Sequence, residues 1–373
     1  MQRGHMKVAL LAFDFAEDCI RLASGLAREA DVCLLLPRQL AAAHSRKLHP
    51  AVSFQPFTKP RLRQPLQQAR MIHTILRRIR DFCPDVVHIQ GGHFWFNLAL
   101  PLLRQYPLVF TIQDARHHVG DRESRRTPQI IFDFGYRRAD RIIVHGRQLK
   151  QMVVDRLGIP SEIIHAMPMI ALGDDTAQSH IQEDEHLVLF FGRIWEYKGL
   201  EYLIRAEPLI TAQVPQARIV IAGRGEDLAR YRNMMVHPER FTVYNEYIPG
   251  DKRAELFRRA SVVVLPYIEA STSGVIPVAY TFAKPVVATT VGSLPEMVED
   301  GRTGFLVPPR DPQGLADAIV RLLRDRELRH ELGAKGRQKI DTEWSPESVA
   351  RQTLAVYERA LSDAAASTRR DRS

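Results

Sequence analysis

Cysteine is scarce in this chain of 373 residues: Cys19, Cys33 and Cys83 form neither a CxxC pair nor an even framework. That excludes a disulfide scaffold and a thiolate zinc site and fits a reducing compartment, with Cys33 and Cys83 expected in a core. No apolar run reaches the roughly 18 residues needed to span a bilayer. KVALLAF (7–13) starts like a signal peptide. However, Asp14, Glu17 and Asp18 follow at once and no cleavage-like site appears, so it reads as a first buried strand of a cytoplasmic protein. No GxGxxG follows that strand. FDFAEDCIRLASG stands there instead, which argues against a dinucleotide-dependent dehydrogenase. There is no His/Cys ligand spacing and no DxD-type acid pair at a strand end, so neither metal nor cofactor is expected. Nucleic-acid motifs, short repeats and low-complexity blocks are absent as well.

What is present is an ordinary globular composition, 45% hydrophobic and 25% charged, long enough for two domains. The net charge of +9 is unevenly placed. Residues 1–180 carry 25 Lys and Arg against 16 Asp and Glu, whereas residues 181–373 carry 27 of each. The excess in the first half points to an anionic surface or acceptor there.

Short apolar runs alternate with helical periodicity, the pattern of parallel sheets. Strands are predicted at 7–13, 31–37, 85–91, 107–114 and 139–146, with a helix near 17–29. After the polar, acidic stretch 171–186 the alternation resumes. Strands are predicted at 187–191, 218–222, 241–244, 261–265, 285–289 and 304–307. Helices are predicted at 199–213, 226–236, 251–259, 274–283, 294–299, 312–332 and 346–362. Two doubly wound α/β domains are the simplest architecture.

The segment HLVLFFGRIWEYKGLEYLI (186–204) is the most informative. A strand stops at Gly192, and Arg193 and Lys198 follow in a strand–helix loop. Open α/β sheets bind ligands at that edge, and two cations beside a helix start suit a diphosphate. In LPYIEASTSGVIPVAY (265–280), Glu269 sits in a loop, Ser or Thr can cap the next helix, and Pro277 fits its first turn. The free amides there offer a second anion site. In KPVVATTVGSLPEMVEDGRTGFLVPPRDP (284–312), Gly292-Ser293 opens a turn before Glu296. Each segment also has a plain reading as solvated loop or ordinary turn.

In order and spacing, GRIWEYKG, the Glu269 loop, KPVVATTVGSLPEMVEDGRTGFLVPP and DPQGLADAIVRLL together resemble the carboxyl-terminal domain of retaining glycosyltransferases of family 4. TIQDARHHVGD and ADRIIVHGRQLKQMVVDRLGIPSEIIHAMPM are similar to the amino-terminal domain of that family, so the resemblance covers about residues 7 to 362. It implies an α/β GT-B fold, two Rossmann-like doubly wound domains facing a central cleft. Residues 1–170 would bind the acceptor, 171–186 would be the linker and 187–345 would bind the nucleotide sugar. The helix 346–362 would cross back, and 363–373 would be a disordered tail. Arg193 and Lys198 match the diphosphate cations, and Glu269 the first acid of a Glu–seven–Glu motif. Gly192, Arg224, Ile248, Ser273 and Gly274 complete the expected donor contacts, to a UDP-, GDP- or similar sugar. Two departures stand out. The second acid is missing: Pro277 holds its position, or Val278 if counted from KPVVAT, a count that also shifts the first acid by one. Gln113 replaces the histidine of the Thr–x–His–Asp stretch. Asp114 is kept, and His118, with His117 behind it, becomes the candidate polar group; a surface histidine on a mobile loop is the competing reading.

The implied reaction is metal-independent retaining transfer to a glycan or lipid-linked acceptor in polysaccharide or glycoconjugate biosynthesis. An epimerase of the same fold and a catalytically silent sugar-nucleotide binder remain open. In RLRQPLQQARMIHTILRRIRDF (61–82) an apolar stripe of Leu62, Leu66, Ala69, Ile72, Leu76 and Ile79 is predicted. Arg63, Arg70 and Arg77 recur on another face, a pattern that fits either an anionic membrane surface or a core-packed helix with solvated arginines. Phe94, Trp95 and Phe96 are aromatics for a core or for stacking on sugar.

Overall fold

The computed structural model describes residues 5–42, 47–121, 127–174 and 181–370. The chain divides into two compact units. Unit 1 comprises Met1–His117, Glu123–Ile170 and Trp344–Ser373; unit 2 comprises His118–Arg122 and Ala171–Glu343.

Unit 1 is built on β1 (Met6–Ala12), β2 (Ala30–Leu35), β3 (Ser53–Phe54), β4 (Val86–Gln90), β5 (Leu108–Ile112), β6 (Arg141–His145) and β7 (Ile164–Met167). The order is β3-β2-β1-β4-β5-β6-β7, with parallel pairing such as Val8 opposite Val32 on one side and Val86 on the other. The strands are buried on both faces, which is why they read as continuous apolar runs. One face packs on the helix Pro65–Phe82 through Met71, Ile75, Leu76 and Ile79. The other carries His88, whose imidazole lies 2.7 Å from the Tyr357 hydroxyl and 2.8 Å from that of Thr111. Tyr357 belongs to the helix Pro346–Arg370, which packs against Ala16–Leu26.

Unit 2 uses β8 (Leu187–Phe191), β9 (Arg218–Ala222), β10 (Phe241–Tyr244), β11 (Val262–Leu265), β12 (Val286–Thr289) and β13 (Gly304–Val307), in the order β10-β9-β8-β11-β12-β13. All are parallel, for example Leu189 opposite Val220 and Val263. The order reverses at β8, which places the switch point of this sheet beside the loops after β8, β9 and β11.

Several local expectations are corrected. The 61–82 helix begins at Pro65, so Arg63 precedes it. Its inward face is Gln68, Met71, Ile75, Leu76 and Ile79, while Leu66 and Ala69 point outward, Leu66 with 77% exposure. Gln68 decides this rotation: buried, it donates to the carbonyls of Pro60 and Arg61 in the preceding loop. The single helix expected over 312–332 is two, Pro312–Arg324 and Arg326–Asp341. Asp325 leaves the helical conformation and accepts a bond from the Leu328 amide at 2.9 Å, capping the second. The helix expected over 226–236 is one turn, Ala229–Arg232. The tail expected to be disordered is helical to Arg370; residues 371–373 and, in the linker, 175–180 lie outside the described residues. Cys83 is exposed at a helix end, with φ 50°, rather than in the core; Cys33 is buried. Of the three aromatics after β4, Phe96 is core and Phe94 and Trp95 are half-buried. The strands β3 and β7, two and four residues long, are too short to be read from periodicity.

Candidate active site

The loop after β8 leaves the sheet at Gly192 (φ 125°), whose amide still bonds the Ala222 carbonyl at 2.9 Å. Arg193 is the next residue. Its guanidinium reaches Asp121 at 3.0 Å and the Tyr197 hydroxyl at 3.0 Å. Lys198 is only 9% exposed, with its ammonium 3.7 Å from the ring centroid of Tyr267 and 4.9 Å from that of Tyr197. Two aromatic faces thus hold a nearly buried cation, a contact worth about 0.5–2 kcal/mol.

The loops close on one another at glycines. A side chain at Gly199 (φ 63°) would meet the Pro266 carbonyl oxygen at 1.9 Å, so the loops after β8 and β11 touch backbone to backbone. A side chain at Gly223 (φ 146°) would meet the Gly192 oxygen at 1.9 Å, which brings in the loop after β9. Arg224 follows, exposed, and its carbonyl accepts from the Ile194 amide at 3.1 Å. Ile248 is half-buried beyond β10, two strands out from β8.

Glu269, in the loop after β11, approaches His118: a carboxylate oxygen lies 3.4 Å from the imidazole Nδ1, and the second accepts from the Val119 amide at 3.4 Å. His118 is 5% exposed, which overturns its reading as a surface loop histidine. Its ring stacks on Tyr197 at 4.6 Å and 17°, and its Nε2 lies 3.5 Å from the Ser271 hydroxyl. Ser273 lies 3.2 Å from the Tyr267 hydroxyl and accepts from the Val275 amide at 3.4 Å. Burial pushes the Tyr267 hydroxyl well above its ordinary range, against the opposing effects of Ser273 and Arg193, and keeps it protonated. The helix that follows, Val275–Thr281, has Gly274 at its N-cap position, and Ser273 one residue earlier takes its first two amides, Val275 on the hydroxyl and Ile276 on the carbonyl at 3.4 Å. Pro277 and Val278 are buried within it, so neither position can present a polar contact to a ligand.

Arg193, Lys198, Glu269, His118, Ser273 and Gly274 therefore share the carboxyl edge of the second sheet. His117 lies in unit 1, with its Nε2 on the Thr127 carbonyl at 3.0 Å. Gln113 is buried there at the end of β5. Sequence reasoning missed Asp121, Tyr197 and Ser271. Each sits within three residues of a candidate it did name, His118, Lys198 or Ser273, and carries a polar side chain in the same loop.

Residues 19–169 match the model of Glycosyltransferase Family 4, and residues 185–325 match that of Glycosyl transferases group 1. An uncharacterized glycosyltransferase of Methanocaldococcus jannaschii is 33% identical over 187 residues, a match that covers 48% of this chain and about half, 47%, of that one. A D-inositol 3-phosphate glycosyltransferase of Geodermatophilus obscurus is 28% identical over 339 residues, covering 82% of this chain and 74% of the relative. Among solved structures, sucrose-phosphate synthase from Thermosynechococcus elongatus superposes with a TM-score of 0.71 at 20% identity, over 96% of this chain and all of that one. HepE of Anabaena, solved in complex with UDP-glucose, gives 0.71 at 18% identity over 94% of this chain and all of that one. With both units matched in sequence and the two parallel sheets of the GT-B type in place, the chain belongs to glycosyltransferase family 4.

Proposed function

We propose that this glycosyltransferase moves a sugar from a nucleoside-diphosphate donor to a glycan or lipid-linked acceptor, with retention and without a metal, in polysaccharide or glycoconjugate synthesis on the cytoplasmic side of a membrane. The observation that carries the reading is the pair Arg193 and Lys198, fixed at the β8 switch point by Asp121, Tyr197 and Tyr267. HepE, solved with UDP-glucose, makes a uridine or similar diphosphate sugar the first donor to try.

In this mechanism the bond between the anomeric carbon and the leaving phosphate oxygen breaks as an oxocarbenium-like centre develops. Negative charge grows on the diphosphate, and Arg193 and Lys198 stabilise it; one preorganised contact of this kind contributes about 2.7–4 kcal/mol. The acceptor hydroxyl attacks from the face the diphosphate leaves, and its proton passes to a phosphate oxygen. Glu269 and His118, 3.4 Å apart, are placed to hold sugar hydroxyls. The ribose contact usually made by a second acid is made otherwise, because Pro277 and Val278 are buried and apolar. That absence, with Gln113 in place of the expected histidine, also favours a silent sugar-nucleotide binder.

The test is thermal-shift screening against a panel of nucleotide sugars, followed by product analysis with the donor that binds. Glycosyl transfer with a retained anomeric configuration supports the reading. Binding without turnover favours the silent binder, and an epimerised donor formed without acceptor favours an epimerase.

Among the described residues no helix is long and apolar enough to cross a membrane. An anionic lipid surface is the proposed partner of unit 1, supported by the exposed Arg70, Arg77 and Arg80 and the outward Leu66 on the helix Pro65–Phe82. Flotation with anionic vesicles should decline with salt and in an Arg70→Ala, Arg77→Ala double variant. Salt-independent binding, or none, would remove the membrane partner.

A further inference from the structure

Where a doubly wound sheet often has a glycine-rich turn after its first strand, this chain has Phe13-Asp14-Phe15. In the strand order of unit 1, β1 lies between β2 and β4, so the sheet reverses there and the loops after β1 and β4 flank its crevice. Phe15 adopts the left-handed conformation, φ 57° and ψ 40°, which is strained for a residue with a bulky side chain. The residue is nevertheless 45% exposed, with its ring 3.4 Å from where a side chain at Gly91, after β4, would begin. Strain that displays an aromatic face toward solvent, beside a switch point, has little structural use and is suited to a ligand.

The polar groups around it have a definite character. The Lys59 ammonium lies 3.0 and 3.1 Å from the two Asp14 carboxylate oxygens and 2.8 Å from the Phe13 carbonyl, so its charge is already matched. His93 stacks on Phe13 at 4.3 Å and 16°. Its Nδ1 accepts from the Phe96 amide at 3.4 Å, which leaves the hydrogen on Nε2. That Nε2 is buried and has no partner among the described residues. Burial, with the nearby Lys59 charge, lowers the imidazole pKa to about 4, so the ring is neutral at pH 7. The crevice therefore offers an aromatic face, hydrogen-bonding groups of both kinds and no uncompensated charge from Lys59 or His93.

We propose that the β1/β4 crevice of unit 1 is the acceptor subsite and that it takes a neutral pyranose ring, stacked on Phe15 and hydrogen-bonded by Asp14, Lys59 and His93, in preference to a phosphorylated acceptor. This rests on the glycosyltransferase reading above and names the substrate class of that reaction's second partner. An apolar sugar face covers Phe15, ring hydroxyls exchange with the Asp14–Lys59 pair, and one sugar oxygen accepts the stranded His93 hydrogen.

The test is ligand-observed NMR titration of the full chain with methyl hexopyranosides and with their 6-phosphates, and separate measurement of donor turnover. Neutral glycosides should bind more tightly than the phosphates. Phe15→Gly should weaken neutral binding about tenfold while leaving the melting temperature unchanged or higher, because glycine relieves the left-handed strain. Asp14→Asn should free the Lys59 charge and raise affinity for the phosphates. Tighter phosphate binding by the wild type, unchanged binding in Phe15→Gly, or no glycoside binding at all would overturn the proposal. Donor turnover with any of these results would leave the transferase reading standing. Phe15-dependent glycoside binding without donor turnover would do the reverse.

Discussion

Asp121 is 1% exposed and pairs with Arg193, so a diphosphate arriving at that guanidinium meets a carboxylate already in place. Asp121→Asn should tighten UDP binding about threefold or more at low ionic strength, with the gain fading in salt, as isothermal titration would show. Arg193→Ala and Lys198→Ala should each lower kcat/KM about a hundredfold or more with the fold intact by circular dichroism. Wild-type turnover in either would remove the leaving-group role. Asp18 gives a stability prediction. Burial, then the Glu17 charge, raise its pKa to about 7 from an ordinary 3.8. The folded state therefore holds a proton between pH 3.8 and about 7 that the unfolded chain releases, so stability falls as pH rises through that window. Asp18→Asn should melt higher than wild type at pH 8 and alongside it at pH 4.

Among elements, the loop after β8 shows most clearly how the site is assembled. Its helix start and the β11 loop meet at Gly199, so Gly199→Ala must both distort a left-handed residue and displace the Pro266 carbonyl. Donor binding should be lost with a destabilisation of about 1–3 kcal/mol, read by thermal shift with and without UDP. The end of the linker is an element of unit 2 in its own right. Glu183 lies 2.5 Å from the Lys284 ammonium and 2.9 Å from the buried Arg329 guanidinium. Burial alone would raise its carboxyl, but Lys284 and Arg329 more than reverse this and hold it below the usual range. Its contribution is present above the unfolded value of 4.5 and is lost as pH falls through the lower folded pKa. Glu183→Gln should cost about 3 kcal/mol at pH 7, with the difference from wild type shrinking in acid below pH 4.5.

For the whole molecule, the chain re-enters unit 1 at Trp344, and Val349, Val356 and Tyr357 are buried there. Each such side chain contributes about 1.5–3 kcal/mol by burial, so a chain ending at Glu343 should lose the cooperative transition of unit 1 while that of unit 2 persists in calorimetry.

Strands β8 and β9 are legible to the residue in sequence, because a strand buried on both faces must be a continuous apolar run and Gly, Pro or charge must end it. The two cations were equally legible, since a strand end followed by Arg and Lys needs only local reading. The acids and hydroxyls around them were not. Asp121 and Arg193, His118 and Glu269, and Ser271 and His118 are pairs about 70 to 150 residues apart along the chain, and only the folded loops bring them together. The rotation of the 65–82 helix was misread for the same reason: Gln68, polar in composition, is buried by carbonyls outside the helix. Sequence by itself determined the family, the two parallel sheets and the position of the two cations after β8, all of which rest on short-range pattern. The tertiary structure decided which carboxylate faces which cation, that His118 is buried and that Phe15 is displayed, because burial and pairing depend on neighbours that are remote along the chain.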